Sequence, residues 1–276
     1  YDSGSTLEED VVQNGDFSEL GVEEVTNGDF AADSDWARGT GVTISGGSAN
    51  FSGNANQNIH QGTGMVNGVL YKATFSVSNY TSGKISINLG GSTRQGDIEA
   101  NGDYVFHITS SGAILYFQED FSLGFVGSID NVSVKQVDPN DDWTLGGSWS
   151  FGDSVAEADG SSSSSNIISQ NLGLIATKNY KFSFQSNRVS GTLFVRDDNN
   201  TTIYTLSGGT GVETQTFNLV WNASGGALKF YAYNYEGSIT NISVTEITQS
   251  DHGGLVVGAT YVDKQPTIPQ LGMMDW

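Results

Sequence analysis

The chain writes one strand twice. Residues 127–137 read GSIDNVSVKQV and residues 237–247 read GSITNISVTEI. In each copy an apolar residue (Ile129, Ile239) precedes a polar pair. Apolar residues then fall at alternate positions, Val132 and Val134 in the first copy, Ile242 and Val244 in the second. Alternation of this kind marks a strand with one buried face. The odd offset from Ile129 to Val132, repeated from Ile239 to Ile242, breaks parity once per copy. It predicts a bulge at Asp130-Asn131 and at Thr240-Asn241. Two like strands at corresponding places imply two like domains.

Other landmarks recur in the same order. Trp36 has a counterpart in Trp143, Tyr71-Lys72-Ala73-Thr74-Phe75 in Tyr180-Lys181-Phe182-Ser183-Phe184, and Gly112 to Phe117 in Gly226 to Tyr231. Both tryptophans are expected to be buried. The expected organisation is an acidic N-terminal arm (1–21), a first domain (22–138), a second domain (139–248) opening after the linker Asp138 to Asp142, and a C-terminal tail (249–276). Strand patterns such as 69–79, where Tyr71, Ala73, Phe75 and Val77 share one face, predict antiparallel sheets over a core. The fold class is all-β: two tandem antiparallel β-sandwiches of jelly-roll type.

Composition supports that class and excludes others. There are 36 Gly, 3 Pro and no Cys in 276 residues. Glycine-, Asn- and Ser-rich punctuation is turn chemistry, and without cysteine neither disulfides nor thiolate metal sites hold the domains. A formal net charge of −20 argues against nucleic acid and anionic membrane surfaces as partners, and favours a divalent cation. No apolar run approaches the roughly 20 residues of a membrane-spanning helix. With Tyr1 in first place, a processed or trimmed start is expected.

Within the arm, VVQNGDF at 11–17 repeats EVTNGDF at 24–30. Only the second copy leads directly into a domain, so the first reads as a spare strand. It is expected to add to an exposed sheet edge of its own chain or, preferentially, of a neighbouring copy. The apolar tail residues Leu255 to Val257, Leu271, Met273, Met274 and Trp276 predict a second contact with a partner.

The opening Glu23 to Phe30 with Trp36, and the closing Gly127 to Val134, resemble the carbohydrate-binding-module family of jelly rolls. The resemblance covers about 22–248. It implies that opening and closing strands are neighbours, that sugars are ligands, and that a structural calcium ion lies near those strands. The second domain keeps the closing motif but has Asp138 to Asp142 where Asn-Gly-Asp-Phe should stand. The repeated Asn-Gly-Asp-Phe in an acidic, cysteine-free chain also resembles virion proteins of tailed bacteriophages. The implied role is a non-enzymatic structural or adhesive protein on the virion surface, contacting other subunits or cell-surface glycan. The alternative is a secreted polysaccharide-binding protein, or the binding part of a glycan-degrading enzyme.

Two sets of residues follow as candidates, and two others are set aside. Asp29 and Asp130, at the opening and closing motifs of the first domain, are expected to hold calcium, the alternative being that each closes its own turn. Tyr231, Tyr233 and Tyr235 alternate with Leu228 and Phe230 and are expected to form an outward ladder that stacks on sugar, or else to pack a sheet or interface. His60, His107 and His252 fall in different elements and show no catalytic spacing. The adjacent acids Glu119-Asp120 read as a solvated turn.

Overall fold

The computed structural model describes residues 5–91, 94–161 and 166–249, with the side chains of 5, 6 and 249 excepted. The predicted tail beyond 249 and the serines 162–165 lie outside the described residues.

The first sandwich has two sheets. One carries, in order, Gly102–Thr109, Leu70–Ser82, Val126–Val137, Ala49–Ser52 and Val42–Ile44, with Leu20–Glu23 added on Val126–Val137. The other carries Ala37–Arg38, Asn58–Gly62, Ile114–Glu119, Ile85–Leu89 and Gln95–Ile98. All pairings are antiparallel. Tyr71, Ala73, Phe75 and Val77 point into the core as their alternation requires.

The second sandwich repeats this order with fewer breaks. Asn179–Arg196 and Ala227–Gln249 pair from Tyr180↔Glu246 to Arg196↔Lys229, where the first domain uses two shorter strands for each. Phe182 and Phe184 from one half of the first long strand, and Leu193 and Val195 from the other, enter one core. The long pair therefore folds back across that core.

Both predicted bulges are present. Register slips between Asp130 and Ser133, and between Thr240 and Ser243, while Asn131 and Asn241 take left-handed backbone angles of 54° and 52°. Asn tolerates that region better than other non-glycine residues.

The arm differs from expectation. The ladder strand is Ser5–Asp10, which pairs with the end of Ala227–Gln249 on the same chain. Residues 11–17 are instead the missing opening of the second sandwich. Phe17 belongs to the second core, and the partly buried Val11 and Val12 pack against it. Ile242 N–H donates to the Gly15 carbonyl at 2.9 Å, as Val132 N–H donates to Gly28 at 2.9 Å. Trp143 Nε1 donates to the Asn14 carbonyl at 3.0 Å, as Trp36 Nε1 donates to Asn27 at 3.0 Å. Gln170 brackets Gln13 as Gln61 brackets Thr26, each amide serving both the N–H and the C=O of its partner. Asp10 accepts from Val244 N–H where Glu23 accepts from Val134 N–H, so each acid satisfies a backbone donor of the closing strand. The core of the second sandwich is thus assembled from chain on both sides of the first. Trp36 and Trp143 are 6% and 4% exposed, as expected.

Candidate functional site

On the second sandwich, Ala227–Gln249 alternates strictly at its start. Leu228, Phe230 and Ala232 are buried, which turns Lys229, Tyr231 and Tyr233 outward. Phe194 lies opposite Tyr231 in the neighbouring strand. The two rings stack with centroids 6.0 Å apart, and Tyr233 lies 6.5 Å from Tyr231 and 6.4 Å from Phe194. The Arg196 guanidinium sits 4.1 Å over the Tyr231 ring and 5.3 Å from that of Phe194, a cation–π arrangement that holds both rings in place. Tyr233 is the open member, 49% exposed.

Tyr235 leaves this face. A bulge opposite Gly191, with Asn234 at φ 50°, shifts the register between Ser190↔Glu236 and Thr192↔Tyr233 and reverses parity. The Tyr235 ring is fully buried beside Trp149, its hydroxyl donates to the Ser238 carbonyl at 3.1 Å, and burial pushes its phenol well above the ordinary value. The outward ladder therefore holds two of the three predicted tyrosines. Phe194 and Arg196, which the sequence reading passed over, complete it. Their alternation with the buried Leu193 and Val195 was the available signal.

The opening and closing motifs of the first domain do meet, through the bond from Val132 to Gly28. Their carboxylates nonetheless have separate local partners. Asp29 accepts from the Ala31 amide at 3.3 Å and Asp130 from its neighbour Asn131 at 2.6 Å. Among the described residues the three-carboxylate group whose spacing could hold a metal ion is elsewhere, at Glu19, Asp138 and Asp142, with ligand oxygens within 4.8 Å of one another. It forms where the chain enters and leaves the first sandwich. Asp138 is buried and accepts from Asn14 Nδ2 and from the Trp143 amide. Burial first, and then the Asp142 charge, raises the Glu19 carboxyl above its ordinary value. Burial and the Asp138 charge do the same for Asp142. Uncompensated negative charge of this kind favours a cation.

Glu119 is no solvated turn residue. It occupies a core-facing strand position, fully buried, with Oε2 accepting from the Gln57 amide at 3.2 Å and Oε1 without a partner. Burial raises its carboxyl, against a smaller opposing effect of the Gln57 and Phe125 amides. His60 packs on Tyr116, ring centroids 5.0 Å apart. No helix among the described residues is long and apolar enough to cross a membrane.

No family model matches the chain, and no curated protein matches it. Among solved structures, it is similar to a tandem pair of CBM22 domains from Paenibacillus barcinonensis, at 12% identity over 83% of this chain and 98% of that one, TM-score 0.28. A Paenibacillus xanthan lyase gives 14% identity over 84% of this chain and 25% of that one, TM-score 0.28. Allantoicase from Saccharomyces cerevisiae gives 10% identity over 88% and 94%, TM-score 0.32. Identities and TM-scores this low do not place the chain in any of these families.

Proposed function

We propose that this chain is a non-catalytic glycan-binding protein whose contact surface is the outward ring platform of the second sandwich. The observation that carries this reading is the set Tyr231, Tyr233 and Phe194 on one sheet face, steadied by Arg196. Sugar rings present apolar C–H faces that stack on aromatic rings, while guanidinium and phenol groups serve their hydroxyls. A fixed platform loses little entropy on binding. The charge of −20 suits a neutral ligand better than a polyanion. Such a face serves either setting considered from the sequence, a bacteriophage particle or a secreted protein. Stoichiometric presence in purified particles decides between them.

A glycan array probed with the intact chain and with Tyr233→Ala tests the reading. Binding to neutral glycans that the variant loses supports it, and silence of a folded protein across the array refutes it. For calcium, the reading assigns the ion to Glu19, Asp138 and Asp142. The expected result is a rise in melting temperature with calcium that Asp142→Asn abolishes.

A further inference from the structure

A cavity of about 400 Å3 opens on the same sheet as the rings, lined by Gln13, Asp142, Thr144, Ser169, Asn171 and Ala227 among others. Its volume falls within the range of small-molecule sites. Strand register explains why it exists. Ala227 pairs with Asn171, Lys229 with Ser169, and Thr144 with Ser169. With the buried Phe117 set on the buried Phe230, one residue off the match read from the sequence, the corresponding pairs in the first sandwich are Ile114 with Gly62 and Tyr116 with His60, so a large aliphatic side chain and a ring stand where Ala227 and Ser169 leave room.

The walls are fixed. Gln170 is buried, and its Nε2 donates to the carbonyls of Gln13 at 2.9 Å and Asp142 at 3.1 Å. The arm thereby forms one side of the cleft. The hydroxyls of Thr144 and Ser169 have no protein partner among the described residues, so both are available to a ligand.

Ala227, Lys229, Tyr231 and Tyr233 all point outward from one strand. Six residue steps along the strand take Ala227 to Tyr233, about 20 Å. An extended ligand lying along the strand would meet the rings at one end and the cleft at the other.

We propose that this cleft is a second saccharide subsite. It takes one neutral hexose-sized unit of the glycan whose other part lies on Tyr231 and Tyr233. The inference rests on the glycan-binding reading and deepens it. Asp141 and Asp142 both line the cleft and no Lys or Arg does, and a calcium ion shared by Glu19, Asp138 and Asp142 would still leave those three carboxylates net negative beside Asp141. A uronate would bring a further negative charge into that lining, so acidic sugars are excluded there.

The test is an amide NMR titration of the full chain with length series of neutral cello-, malto- and manno-oligosaccharides and of oligogalacturonate. With long neutral oligomers, the amides of Ser169, Asn171 and Ala227 should shift together with those of Tyr231 and Tyr233. The variant Ala227→Trp, checked for folding by circular dichroism, should lose the first set, keep the second, and bind the long oligomers about tenfold more weakly. Shifts at Tyr231 and Tyr233 alone, or an unchanged affinity in a folded Ala227→Trp, overturn the subsite and leave the ring platform standing. Cleft shifts as large with oligogalacturonate overturn the charge selection. No shift at either place overturns the glycan reading and the subsite with it.

Discussion

Phe17 packs against Trp143 with ring centroids 5.1 Å apart, although the whole first sandwich lies between them in the chain. The pair has a local counterpart in Phe30 and Trp36, also at 5.1 Å. The same corner is built once from residues six apart and once from opposite ends of an inserted domain. Each sandwich therefore depends on its own Asn-Gly-Asp-Phe, and the first copy serves the second sandwich.

Phe17→Ala should destabilise the second sandwich by about 3–5 kcal/mol, the usual loss for a large buried aromatic side chain. The first sandwich should keep its stability. Hydrogen exchange resolved by residue would show faster exchange at Tyr180 to Phe184 and unchanged exchange at Tyr71 to Phe75. Equal loss in both sandwiches, or none in the second, would mean that the arm is not part of that core.

Gly15→Ala and Gly28→Ala should act alike in different domains. A Cβ at Gly15 would collide with the Ile242 carbonyl oxygen, and one at Gly28 with that of Val132. Each substitution is expected to lower the melting temperature of one sandwich only, the second and the first respectively. Scanning calorimetry with separate assignment of the two transitions checks this.

Much of this was legible because it is local. Alternation in 71–77 and the parity break at 130–131 are properties of consecutive residues, and the fold class, the bulges and the buried tryptophans follow from them. The role of residues 11–17 was not legible in the same way. A strand pattern does not reveal its partner, and the true partner of Phe17 follows an entire domain later. The metal-like cluster was hidden for the same reason, since Glu19 meets Asp138 and Asp142 only through that insertion. Tyr235 falls on the other face because one bulged residue, Asn234, inverts the side chains that follow as far as the next bulge at Thr240-Asn241.

Glu119 should make the first sandwich sensitive to pH. Its folded carboxyl holds a proton to higher pH than in the unfolded chain. Its destabilising effect is therefore absent at pH below the ordinary carboxylate range, grows as pH rises through the raised value, and stays constant above it. Glu119→Gln should raise the melting temperature of the first sandwich at pH 8 and make little difference at pH 4. A variant less stable than wild type at pH 8 would show that the carboxylate is satisfied by a partner.

The tyrosines should separate by function. Tyr235→Phe removes a buried hydroxyl from the Ser238 carbonyl and should cost about 1 kcal/mol of stability with glycan binding unchanged. Tyr233→Ala, at an exposed position, should change stability by less than about 0.5 kcal/mol. Urea unfolding followed for each variant distinguishes the two.

Calorimetric titration of a neutral glycan into wild type, Tyr233→Ala and Tyr235→Phe tests whether the ring platform is the binding face. The ring platform predicts that Tyr233→Ala weakens binding about tenfold or more, equivalent to about 1.4 kcal/mol, while Tyr235→Phe binds as wild type does. Equal affinity of Tyr233→Ala and wild type for every glycan bound would contradict it.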